Sequence, residues 1–303
     1  ASGIVDTKTL KGAIDRDTVL ISVMYANNEI GAIQPVSDIA KIIRKWKKEV
    51  RGVTRIERPE GDERYPLFHT DATQAANYCD MHIPRLGVDM LTMNAAKIYG
   101  PKGVGLLAML RDTPLDPIII GGGHERGRRA GTENVSGIVG FAEAFRIARE
   151  TMENESARLT AIRSYAMNEL KKIPGLVING GETERLPNNI NFSAQNSDPG
   201  STAQVDYHSS RTEFVTGHSA AGHEFLALQL DAKGFAVATK SACNETATEM
   251  SHVLVALREA DGTNAPTSGI RISFGRTTLK EDVDVFLSTL RGITMESNRS
   301  AQR

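Results

Sequence analysis

Residues 87–103 read GVDMLTMNAAKIYGPKG, an apolar run that ends on a lysine set between two alanines and an Ile-Tyr pair. The run GVDMLTM has the apolar density of a buried strand, and the glycine-proline turn that follows sends the chain into a further strand, GVGLLAML (103–110). Upstream, YPLFHTDA (65–72) and the β-branched TVLISVMYA (18–26) read as two more. Between them Ile39, Ile42, Ile43 and Trp46 recur at helical spacing, with Ser37 and Asp38 as candidate caps. Strands separated by helices predict parallel crossovers and an α/β sheet covered on both faces. Sites in such sheets gather at the carboxyl ends of the strands, and Asn28, Asp71 and Lys97 each fall just past a predicted strand end.

From about residue 133 the pattern changes. A long helical stretch leads to short strands, VIN (177–179) and NNINF (188–192), and then to a helix, HEFLALQLDAKG (223–234). Strands AVATKSA (236–242) and GIRISFG (269–275) follow, and Thr278 with Glu281 reads as the capping box of a last helix. The expected organisation is a larger, mainly parallel α/β domain over residues 1–150 and a smaller α+β domain over 151–303. Residues 53–65 and 193–214 read as loop insertions.

Bulk properties exclude several classes. The chain has 303 residues, 40% hydrophobic, with a formal net charge of -1, which gives no electrostatic case for nucleic acid or an anionic membrane surface. No apolar stretch approaches the roughly 20 residues of a spanning helix, and no secretory signal is visible. Cys79 and Cys243 form no zinc spacing and fit a reducing, cytoplasmic setting. His208, His218 and His223 with Glu224 match no established metal pattern, so no metal is expected.

Several residues carry possible chemistry. Lys97 has neither polar company nor room in its local sequence; held in place and buried, such a lysine has a lowered pKa and serves as an amine nucleophile, whereas the plain alternative is a surface lysine lying over apolar side chains. Asp71 in HTDATQ (69–74) suits the carboxylate that keeps a pyridine nitrogen protonated, or else caps a helix; Gln74 suits a phenolic oxygen. Asn28 in ANNEIG (26–31) reads as a hydrogen-bond donor to cofactor or substrate, or as a turn residue. GGGHERGRRAGT (121–132) lacks nucleotide-binding spacing but presents arginines and Thr132 to a phosphate. Cys243 in ATKSACNE (238–245), among small residues with Lys240 nearby, favours a thiolate, whereas Cys79 reads as structural. Arg271, inside a strand, needs a partner: a substrate carboxylate or a structural salt bridge.

In this order NNEIG, HTDATQ, KIYGPKG, GGGHERG, SAC and IRISFGR resemble the cysteine desulfurases, of the class V aminotransferase group of fold-type I pyridoxal-phosphate enzymes. The resemblance runs to about residue 292 and implies a homodimer that converts L-cysteine to L-alanine and hands sulfur to an acceptor protein, an iron–sulfur scaffold or a tRNA-thiolation protein. It implies that Lys97 bonds the cofactor, Asp71 meets its ring nitrogen, and Gln74 and Asn28 its ring oxygen. Thr132 would reach the phosphate of the neighbouring subunit, Arg271 would anchor the substrate carboxylate, and Cys243 would accept the sulfur. Ala96 stands where the family commonly has histidine, and Asn94 where a phosphate-touching serine is usual. The family also has a segment preceding the counterpart of residue 1, with a phosphate cup and a stacking histidine. The expectation is therefore an N-terminally truncated chain that alone binds cofactor poorly and is inactive. Selenocysteine lyase chemistry, or a non-catalytic remnant kept for dimerisation or scaffold docking, are the alternatives.

Overall fold

The computed structural model describes residues 1–49, 65–194, 220–239, 251–263 and 266–301. The predicted insertions (all but Tyr65, Ser193 and Ala194), the end of the predicted strand 236–242 from Lys240, Cys243, His208 and His218 lie outside the described residues. Two compact units form: one of residues 4–27 and 33–153, the other of residues 1–3, 28–32 and 154–303.

The first unit opens with α1 (Thr7–Ala13), whose N-terminal amides at Lys8 and Thr9 donate to the Asp6 carboxylate. Then come β1 (Leu20–Ser22), α2 (Val36–Glu49), β2 (Leu67–Asp71), the single turn α3 (Ile83–Leu86), β3 (Met90–Asn94), β4 (Gly105–Met109) and α4 (Val135–Leu170), which passes out of the unit at residue 153. The sheet order is β1-β2-β3-β4. β1, β2 and β3 are parallel, whereas β4 runs antiparallel to β3, from Met90↔Met109 to Asn94↔Gly105. The connection from Asn94 to Gly105 is too short for a crossover, so the chain has to return as a hairpin.

α2 buries Val36, Ile39, Ala40, Ile43 and Trp46, one face of a 3.6-residue period. Ser37 and Asp38 are not its caps: they lie inside its first turn, and Asp38 pairs with Lys41 at 2.7 Å. The helix begins earlier because the Pro35 carbonyl already accepts the Asp38 and Ile39 amides, each at 3.0 Å. In β2 and β3, Phe68, Thr70, Leu91 and Met93 are buried, and the alternate residues His69, Asp71, Thr92 and Asn94 are half-buried or exposed. On that second face Leu67 and Met90 are buried and Leu20 and Leu107 exposed, so among the described residues its cover is partial.

The second unit holds the antiparallel sheet β5 (Leu176–Ile178), β6 (Asn189–Ala194) and β7 (Ile270–Ser273), with α5 (Ala220–Asp231), α6 (His252–Asp261) and α7 (Lys280–Ala301). β6 is buried from Asn189 to Ser193, as a central strand is. Ala238 alone of the described part of 236–242 pairs with a strand, at Arg271 of β7. The predicted capping box is replaced. Asp282 accepts the Leu279 amide at 2.8 Å, and the Thr278 hydroxyl instead takes the Gly275 amide at 2.9 Å, tightening the turn before α7.

His223 is 1% exposed. Its Nε2 accepts from the Ala194 amide at 3.0 Å, which leaves the proton on Nδ1, 2.9 Å from Ser268 Oγ. Both ring nitrogens are thereby engaged in the neutral form, and burial pushes the pKa down to about 4. Between that value and the unfolded 6.5 the unfolded chain binds more protons, so stability rises with pH through this window and is lost as pH falls. Lowering pH from 7.5 to 5 is expected to cost the unit about 2 kcal/mol through this group. Urea unfolding of wild type and His223→Asn at both pH values reads it; equal pH slopes in the two would contradict it.

Candidate functional site

Asp71 and Asn94 end adjacent parallel strands, and the register Asp71↔Thr92 sets them on one face of the sheet. Asp71 is exposed; its Oδ1 accepts the Thr73 amide at 2.8 Å, and residues 73–79 continue as turns and not as a helix. This bond engages one carboxylate oxygen only. Asn94 Oδ1 accepts the Ala96 amide at 2.9 Å and so caps a short 3-10 helix over Ala95–Ile98. Lys97 sits on that turn. Ala95 and Ile98 are fully buried, whereas Ala96 and Lys97 face outward. The sequence-based expectation of a confined, buried amine is therefore corrected: the turn buries the flanking apolar residues and leaves the lysine exposed.

The turn itself is firmly held. Asn77, buried, donates to the Lys97 carbonyl at 2.9 Å. Tyr99 closes the turn in the left-handed conformation at φ 65°. At the next residue, a Cβ on Gly100 would meet the Ala95 oxygen at 3.0 Å and the Ala144 side chain at 3.1 Å, so a glycine permits the close approach to α4. The outward lysine is thus carried on a rigid base.

Beside these residues runs a polar row that sequence reading missed. Ser22 Oγ lies 2.8 Å from His69 Nδ1, and His69 Nε2 lies 3.2 Å from Thr92 Oγ1, linking the end of β1 to the middles of β2 and β3. Burial lowers the His69 pKa, and the Asp71 charge opposes that shift. The signal for His69 was its spacing of two from Asp71, which puts both on one strand face; the partners depend on register between distant segments. Gln74 is half-buried in the turn after β2, and Thr132 is exposed just before α4. Cys79 is half-buried, and burial pushes its thiol up to about 12, the profile of an inert structural cysteine.

Asn28 and Arg271 belong to the second unit. Arg271 lies in β7, half-buried, and its Nη1 donates to the Asn28 carbonyl at 3.1 Å. Burial lowers its pKa, opposed by the charge of Glu29. Gly31 lets the 28–32 segment pack here: its φ is +73°, and a Cβ would meet the Asn189 side chain at 2.8 Å. The structure therefore groups Asp71, Asn94, Lys97 and Gln74 in one unit and Asn28 with Arg271 in the other. Cys243 lies outside the described residues.

A mainly parallel sheet with a lysine turn and a carboxylate at neighbouring strand ends defines a class, and comparison with known proteins agrees with it. The chain belongs to the aminotransferase class-V family, whose sequence model matches residues 1–53 and 62–286. A cysteine desulfurase IscS of Dictyoglomus turgidum is 38% identical over 296 residues, covering 96% of this chain and 63% of that protein. One of Methanosarcina thermophila is 35% identical over 294 residues, covering 97% and 62%. Among solved structures, a NifS-like protein matches with a TM-score of 0.75 at 31% identity, covering 97% of this chain and 66% of that one. A NifS-like protein from Rickettsia africae matches with a TM-score of 0.72 at 25% identity, covering 97% and 67%. The fold is that of the fold-type I pyridoxal-phosphate enzymes, and this chain spans 62–63% of the length of these two curated relatives.

Class V aminotransferases and cysteine desulfurases depend on pyridoxal phosphate. The residues present suit it: an exposed amine on a rigid turn, a carboxylate with one oxygen engaged, and an amide at the adjacent strand end, all in the same unit. No described helix is long and apolar enough to cross a membrane.

Proposed function

We propose that this chain serves a pyridoxal-phosphate-dependent cysteine desulfurase, which converts L-cysteine to L-alanine and leaves a persulfide on Cys243. The observation that carries the proposal is the pairing of exposed Asp71 and Lys97 at neighbouring strand ends in a class-V aminotransferase chain. Residues 1–150 hold the cofactor in this proposal, and residues 151–303 carry the nucleophile.

Lys97 is the covalent attachment point. Asp71 keeps the proton on the ring nitrogen, Gln74 and Asn28 donate to the ring oxygen, and Asn94 and Thr132 serve the phosphate, Thr132 that of a neighbouring subunit. When bound, pyridoxal phosphate supplies an electron sink beside the substrate α-carbon. Arg271 holds the substrate carboxylate through charge-assisted hydrogen bonds. Lys97 Nζ removes and returns the proton at the substrate α-carbon. The Cys243 thiolate attacks the substrate sulfur: the carbon–sulfur bond breaks, a sulfur–sulfur bond forms, and a proton goes to the β-carbon, giving L-alanine. The persulfide then passes to an acceptor protein for iron–sulfur assembly or tRNA thiolation. A thiol that must stay reduced between cycles suits a cytoplasmic location.

A homodimer is part of the same proposal. Ile118 is 97% exposed and Ile120 81%, with Val135 and Val139 also open, apolar side chains that a second copy would cover. Ile118→Glu with Ile120→Glu is expected to lower dimer affinity by about 100-fold or more. Analytical ultracentrifugation checks this; an unchanged dimer would place the interface elsewhere.

The activity is tested in the full-length protein that carries this chain, by measuring alanine release from L-cysteine and from L-selenocysteine. Release from L-cysteine with persulfide on Cys243 is the expected result. Release from selenocysteine alone would mark a lyase, and none from either would mark a non-catalytic chain.

A further inference from the structure

Glu29 is 3% exposed, a burial that a carboxylate reaches only with partners. Ser251 Oγ donates to Glu29 Oε2 at 2.5 Å and accepts the Leu254 amide at 3.2 Å, which caps α6. The Glu29 backbone is gripped as well, since Asn189 Nδ2 and Asn191 Nδ2 donate to its carbonyl at 3.3 and 3.2 Å. Asn191 is the register partner of Arg271, whose Nη1 donates to the neighbouring Asn28 carbonyl at 3.1 Å. The Arg271 backbone in turn pairs with Ala238 at 2.6 and 3.2 Å. Glu29 thus joins three elements of one compact unit: its carboxylate meets the start of α6, its carbonyl meets β6, and the preceding carbonyl meets the Arg271 side chain. The Glu29 charge acts on Arg271 against the effect of burial.

We infer that Glu29 is a positioning residue for Arg271: its buried carboxylate, locked by Ser251, fixes the direction in which the guanidinium meets the carboxylate of an α-amino acid. This rests on the proposed role of Arg271 as carboxylate anchor and adds the residue that aims it. A guanidinium that is half-buried loses much of its solvation, and a fixed counter-charge offsets part of that cost and favours one orientation. The serine proton is committed to Glu29, so the carboxylate cannot swing away to compete for an incoming ligand's place.

The test follows the Arg271 guanidinium by NMR in the cofactor-free 303-residue chain. L-cysteine, or cysteamine, which has no carboxylate, is added under reducing conditions. Wild type is expected to prefer L-cysteine. Glu29→Gln should weaken L-cysteine binding about tenfold or more and leave cysteamine unchanged, the scale of a charge-assisted hydrogen bond. Ser251→Ala, which keeps the charge and removes the lock, should act in the same direction by a smaller factor, and it carries the comparison alone if Glu29→Gln does not fold. An undiminished preference for L-cysteine in the variants overturns the inference and leaves the anchor role standing. Equal weakening of both ligands overturns it too, by making Glu29 merely structural. A wild-type chain with no preference overturns the anchor role itself and this inference with it.

Discussion

Replacing Lys97 with alanine is expected to lower alanine release from L-cysteine by about 10³-fold or more and to abolish covalent attachment of pyridoxal phosphate. The effect is chemical and not structural. Lys97 is exposed, and the turn that carries it is fixed by other groups: Asn94 on the Ala96 amide, Asn77 on the Lys97 carbonyl and the buried Ile98. Alanine keeps those contacts, so the unfolding midpoint should barely move. Lys97→Arg should be equally inactive, because a guanidinium stays protonated and cannot take the α-proton. Activity within tenfold of wild type in either variant would remove Lys97 from the reaction.

Cys243→Ser is expected to lower persulfide formation and alanine release by about 100-fold or more, with L-cysteine affinity changed less than about twofold. A hydroxyl is a far weaker nucleophile toward sulfur than a thiolate, and substrate binding is assigned to other residues. Only two cysteines are present, and the other is a poor candidate: burial pushes the Cys79 thiol up to about 12. Peptide mapping of the persulfide after exposure to L-cysteine should find it on Cys243. Persulfide on Cys79, or full turnover by Cys243→Ser, would contradict the assignment.

The sheet was legible because its strands are apolar runs that stop on polar residues. Phe68 and Leu91 mark the buried face, and Asp71 and Asn94 mark the ends where chemistry gathers. Direction was less legible: β4 runs backwards because of the length of its connection, which composition alone does not weigh. The exposure of Lys97 was misjudged for a related reason. In AAKI the two outer residues turn inward and the two inner ones outward, a division set by the short 3-10 turn and not by the average polarity of the window. Ser37, Asp38 and Glu281 show how small polar residues near a helix start compete for the cap. Pro35 and Asp282 make the observed bonds at those starts.

Long-range polar contacts were the least legible. The Ser22–His69–Thr92 row and the Glu29–Ser251 pair each join segments far apart in sequence, and each depends on register or on a packed crossing that no local pattern encodes. In NNEIG the two asparagines attract notice first, yet the glutamate is the most deeply buried of the three and its charge acts on Arg271.

Borohydride reduction of the chain mixed with pyridoxal phosphate, followed by peptide mass spectrometry, tests most directly whether Lys97 holds the cofactor. Trapping reports which lysine is preferred even where affinity is low. The reduced adduct is expected predominantly on the peptide containing Lys97, and Asp71→Ala should reduce that preference. Adduct spread over the surface lysines in proportion to their exposure, with no excess at Lys97, would contradict the assignment.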